Sequence, residues 1–559
     1  MLKRAVSLAV SALLLLAATC VFAGGGKEGP AAGTKGFVSD KNLNAPGVLP
    51  ICKQTVKLKI GIAKSATVLD YNTNYMTQCL KKDGNFEFTF VEMGANDKEV
   101  KQKAELQIMA GGADLPDILM YSLDDSSVAY YGQMGAFVNL NEYRKNSSHF
   151  INLAVADMQK GMGFDPFLYA TSADGNLYGL FYMSTAIETA IYLRLYTNMD
   201  WLDKLGLKKP TSVSEFENML RAFKTKDPNG NGKADEYGFV TSKDRIFNHF
   251  AMPLMTPFVY AVGQGGNNYL VFGKDGKIGA AYATEGWREG LRWLRKMTKE
   301  GLISPLSFTQ DPEQLKTIAN AQKESVIGCS TSYPVGWYSK GDPRAVNWAC
   351  LECLTGPDGV RTAPYAPEMP TMSFFITKNC KTPEAAYRLG DLMMSEKYTL
   401  MTRFGQEDVD WVKAASTDKS YVEGYQAMYI PVLAWAIPQN KRWDNLGAWI
   451  RTPTISNGAA VRGKLSGLDA WANEMAAACL PFKDPSKLVG KIIYNAKEEE
   501  AITEVRANIT TYFQECFSRF IVGDMDLDKD WDAYLNELKK MGLPTYLDAA
   551  QKAYARMHK

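Results

Sequence analysis

The sequence predicts an α/β protein with a largely parallel sheet and more than one lobe. Three observations carry that reading. Strand-like runs alternate with helical runs early in the chain and again beyond residue 200. Strands separated by helices run parallel, because each crossover returns the chain to the same end of the sheet. The chain has 559 residues, too many for one core. Its hydrophobic share is 46% and its charged share 22%, the balance of a globular protein.

The first residues set the compartment. Lys3 and Arg4 precede the apolar stretch Ala5–Ala18, and Val21-Phe22-Ala23 offers a small-x-small cleavage site before Gly24. Residues 1–23 therefore read as a secretory signal peptide. The apolar stretch is too short for a permanent anchor. Cys20 offers a rival reading, lipoprotein cleavage at Thr19/Cys20, which would lipid-anchor the chain. Ala17 and Thr19 fit that rule less well, so cleavage after Ala23 is favoured. Either way the protein is expected to be exported, periplasmic or held at the cell envelope. Residues 24–50, rich in Gly, Ala, Lys and Pro, read as a flexible tether.

Lys57–Ile62 alternates polar and apolar residues and predicts a strand. Phe86–Met93 predicts a second, with a helical stretch between them. Val100–Met109 predicts a helix after the second. Asp117–Tyr121 is a buried-strand run. Ligands of parallel sheets bind outside the carboxyl ends of the strands, which places Tyr121, Ser122, Asp124 and Asp125 near a cleft. Ser122–Asp125 serves equally as the cap of the next helix. Farther on, Trp201–Leu207 and Ser212–Lys226 predict helices, with Ser212 and Glu215 spaced as a capping box. Glu285–Glu300 is another helix, with Leu291, Leu294 and Met297 on one face. Ser325–Cys329 and Phe374–Ile376 predict strands, and Thr382–Met394 a helix. From Leu468 onward the pattern is mostly helical.

Asp227-Pro-Asn-Gly-Asn-Gly-Lys-Ala-Asp-Glu236 is the most specific motif. Asp227, Asn229, Asn231 and Asp235 alternate oxygen-bearing side chains, Gly232 takes the turn position, and Lys233 offers its carbonyl. Calcium needs six to eight hard oxygen ligands, and this spacing supplies them from one loop. Gly238 stands where an EF-hand loop has its bidentate carboxylate, so Glu236 is expected to close the shell. An Asn/Gly/Asp surface turn is the plain alternative.

Other classes of chemistry recede. The formal charge is 63 − 61 = +2, which gives nucleic acid no basic surface to read. Eight cysteines follow Cys20 (Cys52, Cys79, Cys329, Cys350, Cys353, Cys380, Cys479 and Cys516). An exported chain can pair them, with connectivity open. Cys350 and Cys353 form a C-x-x-C with strand-like flanks and no second pair to complete a zinc site. His149, His249 and His558 are the only histidines. They lie far apart, which disfavours a histidine-based triad.

Four segments carry a resemblance: Asp114–Ile118; Asp200–Leu207 followed by Asp227–Gly238; Phe404–Trp411; and Phe520–Asp524 with Asp530–Tyr534. Through them the chain resembles the family 1 extracellular solute-binding proteins, the sugar-binding subunits of ABC importers. The second segment is similar to the large lipoprotein-type branch that includes alginate-oligosaccharide-binding proteins. The resemblance implies a two-lobe periplasmic-binding-protein type II fold with a hinge, an interlobe cleft and a helical carboxyl-terminal part. It implies a structural calcium held by Asp227, Asn229, Asn231, Lys233 through its carbonyl, Asp235 and Glu236. The expected division is 51–170 with 370–430 for the first lobe, 171–369 for the second, and 431–559 as a helical segment packing on both. The expected partners are an oligosaccharide and the permease subunits of an importer, with the chain a monomer and no enzyme.

Sugars present apolar C–H faces and rim hydroxyls, which rings and polar side chains match. Tyr121, Trp337, Trp411, Trp435 and Trp449 are the candidate cleft rings, each with core packing as its alternative. Trp337 follows Gly328 in the place of the family's stacking tryptophan. Arg403, Arg442 and Arg451 would suit an acidic sugar. The rival function is a secreted polysaccharide hydrolase or lyase. It needs two placed carboxylates, and Glu407, Asp408 and Asp410 form the nearest cluster.

Overall fold

Two sheets organise the protein, and the chain passes between them three times. The computed structural model describes residues 37–65, 67–263, 268–339, 342–432, 438–461 and 467–558. The expected signal peptide, Cys20, Trp435 and most of the tether lie outside the described residues. Ser39–Lys559 form one unit by contact.

The first sheet is built from β1 (Val56–Ala63), β2 (Phe86–Gly94), β3 (Ile118–Met120) and β4 (Leu180–Ser184). The second begins with β5 (Tyr196–Asn198) and β6 (Tyr237–Phe239). A hairpin of β7 (Leu270–Phe272) and β8 (Ile278–Ala280) follows, before β9 (Ile327–Ser330) and β10 (Trp348–Cys350) complete the second sheet. β11 (Thr371–Ile376) returns to the first sheet, β12 (Trp411–Lys413) pairs with β13 (Tyr429–Pro431), and β14 (Trp449–Arg451) closes the first sheet.

The first sheet has the order β14-β4-β11-β3-β1-β2. β1 runs parallel to β2 and β3, β11 runs antiparallel to β3 and β4, and β14 runs parallel to β4. Five carboxyl ends therefore share one edge, together with the amino end of β11. β1 alternates buried and exposed residues along its first half, and β3 is buried throughout. That is the difference between a strand near the rim and one covered on both faces. The second sheet has the order β10-β5-β9-β6. Gly328 lets β9 approach its covering helices, because an added Cβ would lie 2.4 Å from the Phe223 ring and 2.7 Å from Trp201.

Each sheet has its own core. Ile60, Leu119, Phe181, Phe374 and Trp443 belong to the first. Trp201, Phe223, Leu294, Phe517 and Tyr546 belong to the second, into which the helices Ala496–Val522, Trp531–Lys540 and Leu543–Met557 are built. The crossings between sheets follow β4, precede β11 and follow β14. No helix among the described residues is long and apolar enough to cross a membrane.

Sequence-distant groups finish local elements. The helix Phe150–Met162 has no side-chain cap of its own. Asp391, from the helix Pro383–Met393, accepts instead from the backbone N–H of Ile151 at 2.8 Å and of His149 at 3.1 Å. The orphan amides of a helix start need such a partner, and Asp391 is buried with them. Glu215 differs slightly from expectation: Ser212 Oγ accepts from the Glu215 N–H, but Glu215 Oε2 accepts from Thr211 N–H rather than closing the box on Ser212.

The tether expectation is corrected for residues 39–50. Ser39 Oγ and the Asp40 N–H donate to Glu384 at 2.7 and 2.8 Å, and Arg388 donates to the carbonyls of Asn44 and Ala45. The segment lacks an apolar period, yet its backbone groups find partners on a helix far along the chain.

Candidate functional site

A cavity of ≈ 510 Å³ opens at the shared carboxyl edge of the first sheet. Lys64 and Ser65 enter it after β1, Asn96 after β2, and Tyr121 and Ser122 after β3. Ser184 ends β4, Arg451 ends β14, and Ser373 comes from β11. Helix starts cluster there for the same topological reason. Asn96 caps the helix Asp97–Met109, and Asp124 caps Asp125–Gln133.

Rings form one wall. Tyr182 and Trp449 are a cross-strand pair of β4 and β14, stacked at 5.2 Å with 14° between planes. Trp449 is fixed by donating its Nε1–H to the Asn445 carbonyl at 2.8 Å. Tyr71 meets Trp443 edge-on at 6.2 Å, and both line the cavity. The Tyr121 hydroxyl is buried without a hydrogen-bond partner, and burial pushes it well above the usual phenol range.

Charged groups form the floor. Arg451 is buried beside Glu188, at 3.5 Å, and the Tyr429 hydroxyl, at 3.3 Å. Arg403 and Glu368 line the same floor. Burial raises the Glu368 carboxyl to about 7 and Glu188 adds to the rise, against the pull of Arg403 and Arg451. The sign follows directly. The folded chain holds a proton on Glu368 that the unfolded chain releases from its ordinary value of 4.5. Stability therefore falls as pH rises between those values. Glu368→Gln carries no such charge, so its gain in melting temperature over the parent should be larger near pH 8 than near pH 5. Paired melts at the two pH values check this, and an equal gain at both would contradict it.

A second cavity of ≈ 770 Å³ lies on the other side of β11: Met372 lines it, whereas Ser373 lines the first. Asp124, Asp125, Tyr130, Tyr169, Tyr494 and Lys491 are among its walls. Lys491 Nζ bridges it to Asp125 at 2.9 Å. It is the larger of the two, and its walls join Asp124–Ser126, just past β3, to Lys491–Ala496.

The sequence-predicted residues separate accordingly. Tyr121, Ser122 and Trp449 line the first cavity, and Asp124 lines the second. Burial pushes the Asp124 carboxyl up, but bonds from Ser126, Lys101 and Ser127 outweigh it and hold the group well below the usual range. Trp337 is corrected: it lines neither cavity and packs edge-on against Trp348 in the second lobe's core. Trp411 is corrected too, being buried with Leu400, Phe404 and Tyr429 and donating to the Gly405 carbonyl. In both cases the ring saturates its apolar contacts locally. Of the three arginines, Arg403 and Arg451 line the first cavity, while Arg442 is buried beside Asp444 at 3.3 Å. Sequence reasoning missed Lys64, Asn96, Tyr182, Glu368, Trp443 and Asn445. Only Lys64 and Asn96, each just past a strand-like run, carried a local signal.

The acids of Glu407–Asp410 do not pair. Glu407 meets Lys413 at 2.9 Å, and Asp410 is buried, accepting from the Gln406 N–H and Lys441.

The Asp227–Glu236 loop folds as a tight cradle. Asp227 has φ +45°, and Gly230 and Gly232 both have φ +72°, values that glycine adopts freely. Asp227 accepts from the N–H groups of Asn231 and Gly232, and Asp235 accepts from Asn229, Asn231 and Gln322. Among the described residues no group of three His, Cys, Asp or Glu side chains is already arranged to hold a metal. The loop nevertheless fits a hard cation. Glu236 Oε1 is buried without a hydrogen-bond partner. Burial, then the charges of Asp235 and Asp227, push the Glu236 carboxyl upward. Repulsion among converging acids is what a divalent ion relieves.

A family model described as "Bacterial extracellular solute-binding protein" matches residues 74–402. The chain belongs to that family. This solute-binding protein is 23% identical over 573 residues to the fructooligosaccharide ABC transporter substrate-binding protein FusA of Streptococcus pneumoniae serotype 4, covering 97% of each chain. It shares its two-lobe fold with a structure of the S. pneumoniae FusA EF-hand mutant in complex with fructo-nystose (TM-score 0.64, 20% identity, 90% of this chain and 99% of that one). It also shares it with the alginate-binding protein AlgQ2 without calcium ion (TM-score 0.59, 21% identity, 89% and 98%). At these identities the structural likeness speaks for the fold.

Proposed function

We propose that this protein captures an oligosaccharide between its lobes and delivers it to the permease of an ABC importer. One observation supports this most: stacked rings and convergent polar groups meet at the one edge where five strands end. A sugar gains from the ring faces through its C–H groups and from Lys64, Asn96, Ser122 and Asn445 through its hydroxyls. Both lobes engage the sugar only when closed, so binding favours the closed state. The first lobe carries the sheet with β4, β11 and β14, and the second runs from β5 to β10 with the helices beyond residue 467. The chain acts outside the cytoplasm as a monomer, soluble or anchored through Cys20.

We further propose that Asp227, Asn229, Asn231, Asp235, Glu236 and the Lys233 carbonyl hold calcium. The ion braces the loop, and its neutralised carboxylates need no other partner. It lies on the second sheet's side, away from the sugar.

A thermal-shift series with fructooligosaccharide, alginate oligosaccharide and neutral plant oligosaccharides tests the first proposal. A sugar that binds only the folded state raises the melting temperature. We expect at least one class to do so and to be recovered uncut by chromatography. Shortened products would favour a hydrolase or lyase, and no shift with any sugar would overturn the assignment.

A further inference from the structure

We propose that Cys353 and Cys479 form a disulfide that ties together two of the passages between the lobes. The Cys353 N–H donates to Cys479 Sγ at 3.1 Å, which sets the two free thiols side by side. Both side chains are buried, at 3% and 0% exposure. The six other described cysteines keep other company: Cys79 the Tyr75 hydroxyl, Cys516 the Tyr512 hydroxyl, Cys52 the charge of Arg388, Cys350 that of Arg194, Cys329 the Ser330 backbone and Cys380 Thr382.

Place in the fold gives the pair its consequence. Cys353 follows β10 at the point where the chain leaves the second sheet for β11. Cys479 ends the helix Gly467–Cys479, on which the chain returns after β14. The two lie 126 residues apart, and the excursion that supplies β11 and β14 to the first sheet lies between them. A bond between them closes that excursion at its root. The helix is thereby held against β10 and the short helix Ile187–Ala190, its packing partners.

The chemistry is set up within the pair. Cys479 beside it draws the Cys353 thiol below its usual value, burial opposes this, and the Arg361 charge assists. Arg361 Nε also donates to the Cys353 carbonyl at 2.7 Å. Cys353 is thus the readier of the two thiols to ionise. Thiolates attack disulfides. While the exported chain folds, the Cys353 thiolate attacks one sulfur of a small disulfide oxidant such as oxidised glutathione and expels one thiolate. Cys479 then attacks the mixed disulfide and expels the second. Two protons and two electrons leave the protein, and two thiols of glutathione form.

The test is mass mapping of the full chain, refolded in a glutathione redox buffer and digested without reductant after Glu352, which separates Cys350 from Cys353. A Cys353–Cys479 cross-linked peptide, two hydrogen masses lighter than its parts, is expected, with a melting temperature that reductant lowers. Cys479→Ser should lose both the cross-link and the effect of reductant. Free thiols at both positions after refolding, or a Cys350–Cys353 bond instead, would overturn the proposal. Because the readout is covalent, it stands whatever the protein binds.

Discussion

Trp449→Ala is expected to weaken sugar capture about 30-fold, the consequence of losing about 2 kcal/mol when a buried aromatic anchor is truncated. Trp449 stacks on Tyr182 across β4 and β14, so its face is set by the sheet. A sugar lying on it meets a surface that needs no rearrangement, and that saves ordering entropy. Trp449 is only 5% exposed, so the alanine variant also loses packing, worth about 3–5 kcal/mol for a large ring. Trp449→Phe separates the two effects. It keeps a ring against Tyr182 and gives up the bond to the Asn445 carbonyl. We expect it to hold most of the affinity by isothermal titration. An alanine variant that folds and binds like the parent would move the sugar site elsewhere.

The second large effect concerns the Asp227–Glu236 loop. Excess chelator should lower the melting temperature, because an ion present at 100 times its dissociation constant contributes about 2.7 kcal/mol to the folded state. Glu236→Gln gives the sharper result, since its effect should change sign with the ion. Without calcium, the folded state raises the Glu236 carboxyl. The parent then loses stability as pH climbs from the ordinary carboxylate value through the raised one. The glutamine variant avoids that loss and should melt higher than the parent in chelator near neutral pH. With calcium present the parent regains the advantage, because the ion prefers a carboxylate to an amide. A variant that melts below the parent in both conditions, or a parent indifferent to chelator, would remove the ion from the account.

Much of this fold was legible where periodicity is local. β1, β2, β3 and the helices packed on them follow from alternation and from residues such as Asn96 and Asp124 that cap as their types suggest. The tight Asp227–Glu236 turn was legible because its residues lie within ten positions. The cavity was not, because it gathers side chains from segments scattered between Lys64 and Arg451. Trp443 and Asn445 arrive on a loop in which Asp444 and Asn445 have φ of +55° and +69°, and no period marks it. Trp337 and Trp411 show the converse difficulty. A tryptophan beside glycine or acid reads like a surface ring, and only the neighbours supplied by the fold decide that it is core.

β14 and Asp391 complete the amino-terminal sheet and its Phe150–Met162 helix from the far half of the sequence. A chain threaded amino end first across a membrane therefore cannot finish its first lobe as it emerges. Until residue 451 is out, the open flank of β4 and the amides at the start of that helix lack their native partners. Contacts this distant in sequence slow folding and leave sticky intermediates exposed. Vectorial emergence thus gives the earliest-exported half the longest wait, and it is there that an escorting chaperone has most to shield.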